Sequence, residues 1–227
     1  MPVAATLLFG SLARADNAEG SDTDLLMITL DQETRHVSVG HLSLFLYPWS
    51  RLEADARAGD LFVCHLVREA KSLIDPDGYL PKLQKAFAFK RSYRDDIERA
   101  TDFAWFLVKF GDELNASLLF KRALWCIRTI LIARSAERQM PVFAPERLAE
   151  LTGAAAAREL LGQRRRAHSQ DTVRSALHQF LQSEPTPHRP LQILARNEFV
   201  ERFTASDNRV ALQTLQQEEE SRTGYVG

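Results

Sequence analysis

The stretch that decides the fold reads Phe9-Gly10-Ser11-Leu12-Ala13-Arg14 and, after an interval, Ser21-Asp22-Thr23-Asp24-Leu25-Leu26-Met27-Ile28, with ten residues between Ser11 and Asp22. The apolar segments on either side, residues 4–9 and 25–30, have the length and composition of short buried strands. A glycine where a strand turns into a helix lets backbone N–H groups approach an anion, and a neighbouring serine hydroxyl adds a donor. Gly10 and Ser11 therefore suit triphosphate oxygens. Asp22 and Asp24, two apart in extended chain, point to one face and offer the hard oxygen ligands that Mg2+ takes.

Working outward, residues 42–47 form a third strand-like segment. Between 49 and 73 the spacing turns helical, with Leu61, Val63, Cys64, Leu66, Val67, Ala70 and Leu73 on one broad face, and Asp75-Pro76-Asp77-Gly78 signals a turn. From about Lys90 helices take over. Phe103, Phe106, Leu107, Phe110 and Leu114 share one face, Leu124, Ile127 and Leu131 share the next, and residues 111–115 break the two. Pro145 suits the first turn of a further helical group, which Glu184-Pro185-Thr186-Pro187 interrupts, and 191–203 and 208–219 follow as the last helices. The expected architecture is a small α+β unit over 1–88, a short mixed sheet flanked by helices, followed by an all-α helical bundle over 89–227.

Composition narrows the function classes. The chain has 227 residues with 29 Lys plus Arg against 30 Asp plus Glu, a net charge of -1, so no global field favours nucleic acid or an anionic membrane. Two cysteines, Cys64 and Cys126, lie in separate apolar segments and read as small core residues rather than a disulfide framework or a zinc site. Arg14 and Asp16 come too early for a secretory leader, and no long apolar run suggests a membrane span, so the chain reads as soluble and cytoplasmic.

Gly10-Ser11, ten intervening residues, then Asp22-X-Asp24 leading into an apolar strand resembles the signature of the polymerase-β-like nucleotidyltransferase superfamily, especially its minimal, bacterial-type branch. Ala13-Arg14 and Ser21 stand where that family commonly writes similar residues, and the stretch 59–75 looks like the helix and strand that close such domains. The resemblance covers residues 4–80. It implies that Gly10 and Ser11 hold the β- and γ-phosphates of a nucleoside triphosphate such as ATP, with Arg14 and Ser21 as further nucleotide-binding positions. It also implies that Asp22 and Asp24 ligate Mg2+, and that a nucleoside monophosphate passes to an acceptor while pyrophosphate leaves. Read from the residue alone, Arg14 is a solvent-facing side chain at a helix start.

Two departures shape the functional alternatives. The family supplies a third carboxylate from the following strand; here the apolar alternation puts Ser43 or His41 at that position. A hydroxyl lacks the carboxylate's capacity to help deprotonate the acceptor, help typically worth about 10²- to 10⁴-fold. The alternative to an active transferase is therefore a catalytically weakened nucleotide-binding module, regulatory or antitoxin-like. The family's helix ahead of the first strand has no counterpart, which leaves the sheet to be covered by the C-terminal helices.

The remaining candidates have simpler readings. Trp105, Trp125 and the phenylalanines of 103–120 have helix-packing spacing rather than that of a base platform, though such a surface could also serve a second copy or a protein partner. Lys121, Arg122, Arg128 and Arg134 read as a solvated face or as phosphate contacts. Arg164-Arg165-Arg166-Ala167-His168 is the densest basic run, but the Arg-to-His spacing of ribonuclease-like HEPN helices, about four to six residues between them, is not met. The expected partners are a nucleoside triphosphate and an acceptor that is a small molecule, a protein or a nucleic acid, with no membrane.

Overall fold

A computed structural model describes residues 3–16, 22–30, 33–162, 168–185 and 194–223, with side chains to residue 220. The chain forms two compact units: Met1–Arg91 with Ala136–Ala144, and Ser92–Ser135 with Pro145–Gly227.

The first unit is built on five strands: β1 (Val3–Phe9), β2 (Thr23–Thr29), β3 (Arg35–Val39), β4 (Leu42–Pro48) and β5 (Lys71–Ile74). Their order is β3-β4-β2-β1-β5. β2 and β4 run parallel and the other neighbours antiparallel, so the sheet is mixed. The helices are α1 (Gly10–Arg14), α2 (Trp49–Arg57), α3 (Leu61–Glu69) and α4 (Tyr79–Ala86).

The three expected strands are β1, β2 and β4, the central ones. β3 and β5 are edge strands whose residues are all exposed, so they lack the buried apolar run that marks a strand in sequence. The helical spacing of 49–73 resolves into two helices and a strand. Gly59, at φ +69, turns the chain between α2 and α3. Asp60 then caps α3, its side chain accepting from the Phe62 and Val63 N–H groups at 2.8 and 3.1 Å. Past Glu69 the backbone extends at Ala70 (ψ 148), and residues 71–74 pair with β1. The expected turn at 75–78 is present: Gly78 has φ +67, and the Asp75 carboxylate accepts from the Tyr79 and Leu80 N–H groups at the start of α4.

One sheet face carries Ala5, Leu7 and Phe9 of β1 beside Leu26 and Ile28 of β2. It is covered by Leu52 and Ala56 of α2, Val63 and Leu66 of α3, and Leu80 and Leu83 of α4, all buried. Each large aliphatic side chain fully removed from water there contributes roughly 1.5–3 kcal/mol before ordering costs. This face is covered by α2, α3 and α4, which follow the strands within the same unit.

Among its described residues the second unit is helical: α5 (Arg94–Phe110), a 3-10 turn (Gly111–Glu113), α6 (Ala116–Glu137), α7 (Pro145–Leu151), α8 (Ala155–Gly162), α9 (Gln170–Ser183), α10 (Arg196–Ala205) and α11 (Arg209–Thr223). The aromatic spacing is that of a core. Phe103 and Phe106 are fully buried and meet Phe203 and Phe199 edge-on, with ring centroids 5.8 and 5.7 Å apart. Arg134 pairs with the buried Glu184 carboxylate at 2.9 Å, which makes it a structural cation. Residues 164–167 of the basic run lie outside the described residues, and His168 stacks on Phe120 at 4.8 Å. No helix among the described residues is long and apolar enough to cross a membrane.

Candidate functional site

The end of β1 and the beginning of β2 meet where the sequence proposes a site. Phe9 pairs with Asp24 in the antiparallel register, and the chain leaves β1 through Gly10 at φ +75, the left-handed region that favours glycine. A Cβ built on Gly10 falls 2.5 Å from Asp24 Oδ2, so this carboxylate fills the space that any side chain at position 10 would occupy. Close backbone approach and positive φ together explain the glycine. Ser11 follows, half-buried, in a turn that no side chain caps at its start.

Register carries the site across the sheet. In the parallel pairing of β2 and β4, Asp24 stands opposite Ser43, and paired residues project to the same face. Ser43, and not His41, is therefore the cross-strand neighbour of Asp24. His41 lies two residues before Ser43, just ahead of β4: its carbonyl accepts from the Thr23 N–H at 2.7 Å, and its Nδ1 is 3.1 Å from Asp22 Oδ1. Asp22 is open to solvent, with 60% of its side chain exposed. The structure thus brings Gly10, Asp24 and Ser43 together, with Asp22 and His41 at the rim. Ser21 lies outside the described residues.

The cradle at Gly10 tests whether the residues suit a cation. Asp24 is held against the turn rather than spread into solvent, and Asp22 is accessible, so two hard oxygen donors border the proposed phosphate position. Mg2+ usually takes one or two carboxylates and completes its shell with phosphate oxygens and water. The donor set fits an ion shared with a polyphosphate. It does not fit an all-protein cage: no group of three or more His, Cys, Asp or Glu side chains among the described residues could hold a metal. Of the other acidic residues nearby in sequence, Asp55 pairs with Arg51 at 2.6 Å, Asp60 caps the start of α3, and Asp31 lies outside the described residues.

Arg14 departs from the solvent-facing expectation. Its side chain is 14% exposed; Nε donates to Asp16 Oδ2 at 2.7 Å and Nη1 donates to Glu69 Oε2 at 2.6 Å. α1 is a single turn that closes at Ala15 (φ 62), which swings Arg14 towards the end of α3. The same Glu69 oxygen lies 2.8 Å from His65 Nε2, and the His65 ring stacks on Phe143 at 4.6 Å. Burial pushes the Glu69 carboxyl up, but the hydrogen bonds from His65 and Arg14 outweigh it and hold the group below the ordinary carboxylate value. The i, i+4 spacing of His65 and Glu69 signals a helix-surface pair. Its link to Arg14 is a tertiary contact that spacing does not reveal. Burial pushes the Cys64 thiol up to about 12 and raises Cys126 further still, which leaves both as core residues.

No family model matches the chain. No curated protein matches it either. Among solved structures it is similar to a nucleotidyltransferase-like protein from Exiguobacterium sibiricum 255-15, at 16% identity and a TM-score of 0.30, over 95% of this chain and 75% of that one.

Proposed function

We propose that the first unit is a nucleotidyltransferase-type domain that binds a nucleoside triphosphate with Mg2+ between the Gly10-Ser11 turn and the Asp22 and Asp24 carboxylates, and transfers the nucleoside monophosphate to an acceptor hydroxyl. The observation that carries this reading is the seating of the Asp24 carboxylate against the α-carbon of Gly10. Gly10 leaves the turn open to phosphate oxygens, Ser11 adds a hydroxyl donor, and Asp22 and Asp24 would hold the cation on the same side. Arg14, pinned by Glu69 and Asp16, keeps the short α1 in place rather than reaching for substrate. When bound, Mg2+ neutralises triphosphate charge and favours departure of pyrophosphate. The acceptor oxygen forms a bond to the α-phosphorus, the bond from that phosphorus to the bridging oxygen breaks, and the acceptor proton passes to solvent or to a neighbouring base.

Ser43 favours a second reading. A hydroxyl beside Asp24 cannot take up that proton at neutral pH as a carboxylate can, so binding without efficient transfer, as in a regulatory or antitoxin-like module, follows from the same geometry.

The test measures binding of each labelled nucleoside triphosphate with Mg2+, together with pyrophosphate release and labelled product. Binding should fall at least about 100-fold in Asp22→Ala/Asp24→Ala, the scale on which paired charged contacts are lost; unchanged binding refutes the site. Turnover in the natural chain supports transfer. Binding without turnover, with turnover gained in Ser43→Asp, supports the weakened module.

A further inference from the structure

The sheet of the first unit is apolar on both faces, and α2, α3 and α4 cover only one of them. Strand pairing defines the other, because paired residues project to the same side. From β5 to β3, one row across it runs Lys71, Leu8, Leu25, Leu44 and Val37, and the next runs Ile74, Thr6, Met27, Leu46 and Arg35. Val39, opposite Leu42, extends the face along β3. A sheet face meant for water alternates with polar residues, whereas strands buried on both sides read as nearly continuous apolar runs. β4, with Leu42-Ser43-Leu44-Phe45-Leu46-Tyr47, is of the second kind.

Water nevertheless reaches this second face. At its two edges Val39 is 68% and Ile74 65% exposed, and Leu8, Leu25, Met27 and Leu44 between them are only half-buried. At about 3.3 Å per residue and 4.8 Å between strands, the five strands span roughly 500 Å². A contiguous apolar patch of that size marks an interaction surface. Two such faces, with the relief of their side chains, reach the roughly 1,000 Å² that separates a specific interface from an incidental contact.

Charge decides between occupants. Neither row contains a carboxylate, and the two cations stand at opposite corners: Lys71 at the β5 end of one row, and Arg35, already paired with Glu33, at the β3 end of the other. A charged partner finds little to pair with there, and a flat apolar face like itself fits. A twofold axis along the strands exchanges the β3 and β5 edges, so that Lys71 falls over the partner's Val37 and Arg35 over the partner's Ile74, and no like charges meet. We infer that the first unit docks on a second copy of this chain through this sheet face, the two sheets stacked about 10 Å apart with their strands aligned. Asp24, opposite Phe9, projects to the covered side, so the dimer leaves the Gly10 turn open and stands independently of nucleotide binding.

The test is sedimentation velocity of the full chain from about 1 to 100 μM, the range in which an interface of this size associates, without nucleotide or Mg2+. The natural chain should sediment at twice the mass of one chain. Val37→Glu should raise the dissociation constant at least about 100-fold, since the twofold buries the added charge twice. Ser38→Glu, on the opposite side of the same exposed strand, should change it by less than about 3-fold, as surface substitutions do. Circular dichroism checks the fold, and Val39→Glu repeats the test at the more exposed neighbour. A monomer throughout that range overturns the proposal, and one that co-floats with phosphatidylcholine vesicles reassigns the face to a lipid surface. A folded Val37→Glu variant that stays dimeric overturns it, as does equal dissociation by Ser38→Glu, which would mean pairing along the β3 edge.

Discussion

Arg68 and Glu69 are consecutive on α3, yet they belong to opposite electrostatic regimes. Glu69 is 16% exposed and gathers Arg14 and His65 around one carboxylate oxygen, so charge near the Gly10 turn is neutralised inside the protein. Arg68 lies over Phe89 in solvent and makes no ion pair among the described residues. Internal pairing fixes the position of a side chain, and an unpaired surface cation leaves its charge for another molecule. The first region should therefore respond strongly to mutation through stability, and the second hardly at all.

The largest effect is expected from Gly10→Ala. A residue with a Cβ at φ +75 costs about 1–2 kcal/mol from the left-handed backbone alone. The new methyl must also displace Asp24 from a position 2.5 Å away. Urea unfolding should show a loss of at least about 2 kcal/mol, the scale of backbone strain plus overpacking, together with loss of Mg2+-dependent nucleotide binding. An unchanged midpoint would break the comparison at its first side, since the turn would then tolerate what its geometry forbids.

Legibility in the sequence followed the range of the interactions. β1, β2 and β4 could be read because central strands bury continuous apolar runs, and Gly10 and Asp24 because a turn and an i, i+2 acidic pair are local patterns. β3 and β5 could not, since their conformation is imposed by backbone pairing at the sheet edges and leaves their side chains in water. Ser43 could be narrowed only to one of two positions, because a one-residue register choice is settled by the pairing partner. Arg14 was the clearest departure: its ion-pair partner is 55 positions away on α3. The aromatic core of α5 was legible from its spacing, although which ring meets which is a matter of packing.

Glu69→Gln should have the next largest effect, and pH sharpens it. The Glu69 carboxyl is held below its ordinary value, so its contribution is fully present above the unfolded value near about 4.3 and is lost as pH falls through the lower native one. At pH 7 the variant should lose about 1–2 kcal/mol, the scale of a charge-assisted hydrogen bond in a partly buried group. Below the lowered native value, where the natural side chain is neutral as well, the two stability curves should converge. Urea midpoints from pH 3 to 8 measure this directly. A constant difference across that range would mean that Glu69 acts by shape rather than by charge.

Arg68→Gln should give the smallest change in stability and thereby tests the other side of the comparison. An exposed cation over an aromatic ring is worth about 0.5–1 kcal/mol at most, and glutamine retains part of the aliphatic stem that covers Phe89. The guanidinium has no carboxylate whose desolvation its removal would expose, so unfolding at neutral pH should shift by less than about 0.5 kcal/mol, the range of surface substitutions. A stability loss above about 1 kcal/mol would make Arg68 a structural residue like Arg14 and erase the distinction between the two sides of α3.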